Sequence, residues 1–292
     1  LKFDKVKLNS FTVSVEEYAR AEKTVSVPLR EAIQLARENI KTFHTAQQTQ
    51  TVSVETQPGV LCWQEKRPIE KVGLYIPGGS APLFSTLLML AIPAQIAGCK
   101  EIVLCTPPDA NGSIPDVILY TAQLCGVTQI FKVGGIQAIA ALTFGTATVP
   151  KVYKIFGPGN QYVTVAKQMA TQHHIAIDMP AGPSELLVVA DQSANPAYVA
   201  SDLLSQAEHG ADSQVILVTT FPALLDQVRA AIATQIEVLT RKNIANQAMA
   251  NSRMIAFETD AEAIAFINQY GPEHYIVCME NESLYLDQIT NA

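Results

Sequence analysis

Near the end of the chain, Gly271-Pro272-Glu273-His274 sets a carboxylate beside an imidazole directly before an apolar run. Glutamate and histidine are the side chains that exchange protons near neutral pH, so such a pair in a loop at a sheet edge is a candidate acid/base couple. Two solvated loop residues are the plain alternative. Upstream, Ser205-Gln206-Ala207-Glu208-His209 puts Gln206 and His209 three apart, on one face of the helix that the segment predicts. Imidazole nitrogen suits zinc, and a carboxamide oxygen is an unusual ligand for it. By themselves the two residues fit an ordinary helix end equally well, with His209 near the last carbonyls and Gly210 as the stop. His44, His173 and His174 have no comparable company.

Three glycine-rich loops follow apolar runs of strand length: Pro77 to Pro82 (PGGSAP), Gly134 to Gln137 (GGIQ) and Gly157 to Asn160 (GPGN). Each brings backbone N–H groups to a helix start, where an anionic group such as a pyrophosphate is favoured. The dinucleotide fingerprint GxGxxG is absent, because Tyr162 stands where the third glycine belongs. Any one of the loops needs no more explanation than a tight turn. Three on the same edge of one sheet favour a nucleotide site.

The elements that must carry these loops are short apolar runs alternating with helical patterns, which argues for βαβ units and mostly parallel sheets. Strands are expected at Val72 to Ile76, Ile102 to Cys105, Ile130 to Val133 and Val152 to Phe156, and again at Leu186 to Ala190, Val215 to Thr219, Met254 to Phe257 and Tyr275 to Cys278. Before them, Ser14 to Glu17 (SVEE) fits a capping box. Pro28 opens a helix with apolar Leu29, Ile33, Leu35, Ile40 and Phe43, and a strand-like stretch runs from Val52 to Trp63. The expected organisation is a helical segment at 1–71, an α/β unit at 72–183 and a second α/β unit at 184–292, with Asp178 to Glu185 (DMPAGPSE) as the crossing.

With 292 residues, 48% of them hydrophobic, the chain has enough apolar surface for one or two cores. Its net charge of −7 is spread thinly, with no basic stripe to neutralise a phosphate backbone, so nucleic acid is not an expected partner. Val72 to Cys99 carries no charge, but Pro77, Gly78, Gly79, Pro82 and Pro93 make a strand, a glycine loop and a buried helix a better reading than a membrane span. The five cysteines form no CxxC pair and read as reduced, mostly buried thiols of a cytoplasmic protein. Leu1 in place of a methionine, with no signal-peptide pattern after it, makes a cut or unread N-terminus the expectation.

Taken together, Gly73 to Thr86, Lys154 to Asn160, Asp178 to Glu185, Ser201 to Gly210 and Gln269 to His274 resemble histidinol dehydrogenases, in order and over nearly the whole chain. The resemblance implies an aldehyde-dehydrogenase-like α/β fold of two incomplete Rossmann-like parallel-sheet units with an N-terminal helical segment. In it, segment 1–71 and unit 184–292 belong to one domain and 72–183 is the NAD-binding domain. It further implies a homodimer that oxidises L-histidinol to L-histidine through histidinal, using NAD and zinc. Residue by residue, Tyr75, Gln137 and Asn160 match NAD contacts and Ser184 a substrate contact. Gln206 and His209 match zinc ligands that also meet substrate, and Glu273 and His274 match the acid/base pair. In that family zinc holds the imidazole and amine of the substrate and activates no water. The family also has an N-terminal arm and a C-terminal stretch with further zinc ligands, an Asp and a His, and a substrate-contacting His and Glu, part of it reaching into the neighbouring subunit. Nothing follows Ala292 here, so a truncated chain, inactive alone, is expected. The alternative is a non-catalytic NAD-binding module. A zinc hydrolase built from Gln206, His209, Glu273 and His274 ranks third, because two protein ligands are too few for one.

Overall fold

The computed structural model describes residues 6–79, 82–127, 129–180 and 184–291, so Leu1, the middle of the Pro77 to Pro82 loop and residues 181–183 of the crossing lie outside the described residues. The chain divides into two compact units, Leu1–Ala181 and Gly182–Ala292.

The first unit opens with helices α1 (Val15–Thr24) and α2 (Val27–Ala46). The expected capping box is formed: Ser14 Oγ accepts the Glu17 N–H at 3.3 Å, and Glu17 Oε2 accepts the Ser14 N–H at 3.0 Å. On α2 the apolar residues divide by helical phase. Leu29, Ile33, Ala36 and Ile40 recur on one face and pack into the core, whereas Leu35 and Phe43 point elsewhere and are exposed. The stretch after α2 is an antiparallel hairpin of β1 (Ser53–Gln57) and β2 (Val60–Trp63), exposed along its whole length.

Next come β3 (Lys71–Tyr75), α3 (Phe84–Ala97), β4 (Glu101–Thr106), α4 (Asp116–Leu124), β5 (Gln129–Lys132), α5 (Gly135–Phe144), β6 (Lys154–Phe156), α6 (Gln161–Thr171) and β7 (Ala176–Ile177). The strands form one parallel sheet in the order β5-β4-β3-β6-β7. Alternate residues serve opposite faces. Val72, Leu74, Ile102 and Leu104 pack with α3, α4 and the N-terminal helices, while Tyr75, Val103, Cys105 and Ile155 pack with α5 and α6. The charge-free stretch is β3, its loop and α3, with Pro93 inside that helix. No helix among the described residues is long and apolar enough to cross a membrane.

The second unit runs β8 (Glu185–Ala190), α7 (Pro196–Ala207), β9 (Gln214–Thr219), α8 (Ala223–Gln235), α9 (Lys242–Asn251), β10 (Arg253–Ala256), α10 (Asp260–Tyr270), β11 (His274–Cys278) and α11 (Ser283–Leu286). Its sheet is also parallel, in the order β10-β9-β8-β11. Leu186, Val188, Leu217 and Ile276 face α7, α8 and α9; Leu187, Val189, Val218 and Tyr275 face α10 and α11. All eight strands expected from apolar runs are present, their ends shifted by no more than two residues; β7 is additional.

Candidate functional site

In the first sheet the strand order reverses between β3 and β6, and ligands of open parallel sheets lie beyond the carboxyl ends of strands at such a reversal. Two glycine loops leave from those two strand ends and the third leaves from β5 on the same edge, so the topology gathers all three. Tyr75, the last residue of β3, is 3% exposed, and its hydroxyl accepts the Gly135 N–H at 3.0 Å. The end of β3 is thereby tied to the first turn of α5. Gln137 stands exposed in that turn. Asn160 caps α6: its Oδ1 accepts the N–H groups of Tyr162 and Val163, each at 3.1 Å, which leaves the two amide N–H groups of the side chain for other acceptors. Gly157 has φ +135°, and a Cβ there would stand 2.0 Å from the Tyr75 carbonyl oxygen, so no other residue fits against the end of β3.

The second sheet collects its candidates at the opposite end of its strands. Ser184 precedes β8, Glu273 precedes β11, His274 is the first residue of β11, and Gln206 and His209 lie at the end of α7, just before β9. All five therefore fall on the amino edge. His274 shares its strand face with Ile276 and Cys278, which pack on the side of the sheet that α7 covers. Glu273 Oε2 accepts the Glu185 N–H at 3.4 Å and lies 4.0 Å from His274 Nε2, with both side chains open to solvent. The Ser184 carbonyl accepts the Gln214 N–H at 3.0 Å. At the carboxyl edge, the reversal between β8 and β11 is stitched by the chain itself: Asp191 accepts the Glu280 N–H at 3.1 Å and the Ser193 hydroxyl at 2.5 Å. Partial burial pulls the Asp191 carboxyl upward, but these hydrogen bonds outweigh it and hold it below its ordinary range.

One local expectation is corrected. Helix α7 ends at Ala207 with Glu208 as its cap, so His209 lies beyond the helix and Gly210 is not the stop. The His209 N–H still donates to the Gln206 carbonyl at 3.1 Å, which keeps the two residues in one turn. Gln206 is 7% exposed and its Nε2 is buried without a hydrogen-bond partner. A carboxamide end buried unsatisfied costs about 1–3 kcal/mol, and this one is held at a turn that also carries an imidazole. The carboxamide oxygen of Gln206 and the imidazole of His209 are donor types that would supply two ligands to a zinc ion. Among the described residues no group of three or more His, Cys, Asp or Glu is placed to hold a metal.

Sequence reasoning missed the groups that hold the site residues. Tyr270 donates to Gln214 Oε1 at 2.7 Å at the amino edge of the second sheet, and burial together with the neighbouring Glu185 carboxylate pushes its phenol up to about 12. Lys167 is 5% exposed on the buried stripe Val163, Lys167 and Ala170 of α6, and pairs with Asp178. A lysine at core spacing in an apolar stripe was the available signal.

The family model described as histidinol dehydrogenase matches residues 1–292. The histidinol dehydrogenase of Bacteroides fragilis (strain YCH46) is 57% identical over 99% of this chain and 68% of its own length. The crystal structure of histidinol dehydrogenase from Elizabethkingia anophelis superposes with a TM-score of 0.96 at 58% identity, covering 100% of this chain and 67% of that one. A propionaldehyde dehydrogenase from Rhodopseudomonas palustris matches 94% of this chain and 81% of its own with a TM-score of 0.53 at 14% identity, a likeness of fold. The chain thus spans about two thirds of the length of its close relatives, and by sequence and structure it belongs to the histidinol dehydrogenase family.

Proposed function

We propose that the chain works as an NAD-dependent histidinol dehydrogenase whose carboxyl edge of the first sheet receives NAD and whose amino edge of the second sheet carries the substrate chemistry. The observation that carries this reading is the segregation of the candidate residues. Tyr75, Gln137 and Asn160 lie on one strand edge of a doubly wound sheet, whereas Ser184, Gln206, His209, Glu273 and His274 lie on one strand edge of another. Each sheet, with helices on both faces, is an incomplete Rossmann-like unit in this reading, and α1 and α2 pack on the first of them.

The N–H groups in the first turns of α5 and α6 other than those bonded to Tyr75 and Asn160 meet the pyrophosphate, and Tyr75, Gln137 and the Asn160 amide contact the rest of NAD. Gln206 and His209 hold zinc, which when bound supplies an anchor for the imidazole and amine of histidinol. Ser184 contacts the substrate. His274 takes the hydroxyl proton as hydride passes from the carbinol carbon to NAD, giving histidinal, NADH and a proton. Glu273 helps a water add to the aldehyde. His274 then takes a proton from the hydrate as the second hydride passes to a second NAD, giving histidine. The four electrons leave as two hydrides, and no thiol is needed.

The same reading makes the enzyme a cytoplasmic homodimer with a shared active site. For the dimer alone, support comes from the hairpin β1–β2, where Val54, Leu61 and Trp63 are 51%, 59% and 63% exposed and whose two strands alone are marginal in water. The test is stoichiometry in a protein that carries the whole length of its relatives: with limiting histidinol it should form two NADH for each histidine. One NADH with accumulating histidinal, or no NADH in a protein that binds NAD, would overturn the assignment.

A further inference from the structure

The motif DMPAGPSE begins with Asp178, and no role in the reaction above uses it. Asp178 follows β7, and its own N–H donates to the Ile155 carbonyl at 3.2 Å, so it lies beside the end of β6. There its Oδ2 accepts the Gly157 N–H at 2.7 Å. The Gly157 carbonyl accepts Lys167 Nζ, also at 2.7 Å, and Lys167 Nζ pairs with Asp178 Oδ1. Helical side chains lean toward the helix N-terminus, so Lys167, two turns into α6, reaches back past the Asn160 cap to Gly157. One glycine, wedged against the end of β3, therefore has its donor and its acceptor each held by a charged group. The ammonium is almost fully buried, with a side chain 6% exposed, where an unpaired charge is costly.

The geometry points to Lys167 and Asp178 as positioning residues for NAD, a buried ion-pair clamp that fixes the two peptide units meeting at Gly157 and through them the Gly157 to Asn160 loop. This inference rests on the reading that the loop meets NAD. A charge-assisted bond on each of the two peptide units that meet at Gly157 holds their orientation more firmly than neutral partners do. With the clamp intact, the cap at Asn160 and the first N–H groups of α6 are set before NAD arrives, so less ordering is left to binding.

The experiment is steady-state kinetics on the purified enzyme with NAD and histidinol varied separately, alongside thermal melting. Lys167→Met and Asp178→Ala should each raise KM for NAD about tenfold or more, with KM for histidinol and kcat at saturating NAD within about threefold of the parent. The double variant Lys167→Met with Asp178→Asn removes both charges together and should recover most of the melting temperature. A merely structural pair predicts that KM for NAD recovers with it; a positioning pair predicts that it stays high, because the Gly157 carbonyl still lacks its donor. Lys167→Arg, which keeps a cation, should restore part of the NAD affinity. Asn160→Ala separates the two levels of the argument. If it raises KM for NAD while folded clamp variants do not, or if the double variant regains both stability and affinity, the positioning role is overturned and the nucleotide loop stands. If neither Asn160→Ala nor the clamp variants alter KM for NAD, both fall.

Discussion

Replacing Gly157 by alanine tests how the first sheet builds its ligand edge. The added Cβ would lie 2.0 Å from the Tyr75 carbonyl oxygen and 2.9 Å from its carbon, where real Cβ contacts essentially never fall below 3.0 Å. One backbone segment must therefore shift by roughly 1 Å, and the neighbour is strand backbone that cannot swing aside like a flexible side chain. The φ of +135° adds strain of about 1–3 kcal/mol for a residue with a side chain. A total loss near 3 kcal/mol is expected, which lowers Tm by roughly 6–12 °C in a protein of this size. A displacement of about 1 Å can also cost about 10²-fold in a positioned reaction, so kcat/KM for NAD should fall by that order. Melting and kinetics on Gly157→Ala give both numbers. Gly79→Ala is the control in a neighbouring loop, with no atom within 4 Å of its added Cβ, and should stay within about 0.5 kcal/mol of the parent. A Gly157→Ala enzyme that melts and binds NAD like the parent would refute the reasoning.

Native thiol labelling at pH 8 should modify Cys62, which is exposed, and spare Cys105 and Cys125, both buried and pushed up by burial to about 12 and about 11. Rapid labelling of Cys105 without unfolding would contradict the packing of β4. Because the folded-state pKa values of Cys105 and Cys125, and of Tyr270 and Tyr275 at about 12, are raised, their contribution to stability is fully present below about pH 8.5 and is lost as pH rises toward 11 to 12. Tm should fall steadily above pH 9, and Cys105→Val should flatten part of that slope; an unchanged slope would argue against the burial effect at Cys105. Tyr270→Phe removes the bond to Gln214 Oε1 at the edge that holds Glu273, and should cost about 1 kcal/mol in a urea melt. A stabilised variant would mean that the hydroxyl is not satisfied there.

The strands were legible because each centres on a short apolar run, which in β3, β4, β8 and β9 is buried on both faces and so reads the same in sequence as in space. A two-residue strand such as β7 has no such run, yet it carries Asp178 to the end of β6. That is why the clamp on Gly157 could not be read: Lys167 and Asp178 are joined by a register between strands, not by a sequence spacing. The end of α7 was misjudged because Gly210 looks like a helix stop, whereas Glu208 closes the helix in the right-handed region without needing a glycine. The two pairs of the amino-edge cluster were legible as chemistry, each ahead of its strand, but not their gathering on one edge. Its members precede their strands, and the rule about carboxyl ends directs inspection to the loops that follow them.

The separation of roles at Glu273 and His274 bears most directly on the proposed chemistry, and it is measured by supplying histidinol and histidinal separately to two variants of the enzyme. His274→Asn should slow both oxidations by about 10²- to 10⁴-fold, since alcohol and hydrated aldehyde each surrender a proton as hydride departs. Glu273→Gln should slow chiefly the aldehyde, because only that half activates a water, and the two losses compare as free energies. Equal losses for Glu273→Gln on both substrates would reduce the carboxylate to its contact with the Glu185 N–H. Near-parental rates for His274→Asn on both would contradict the account.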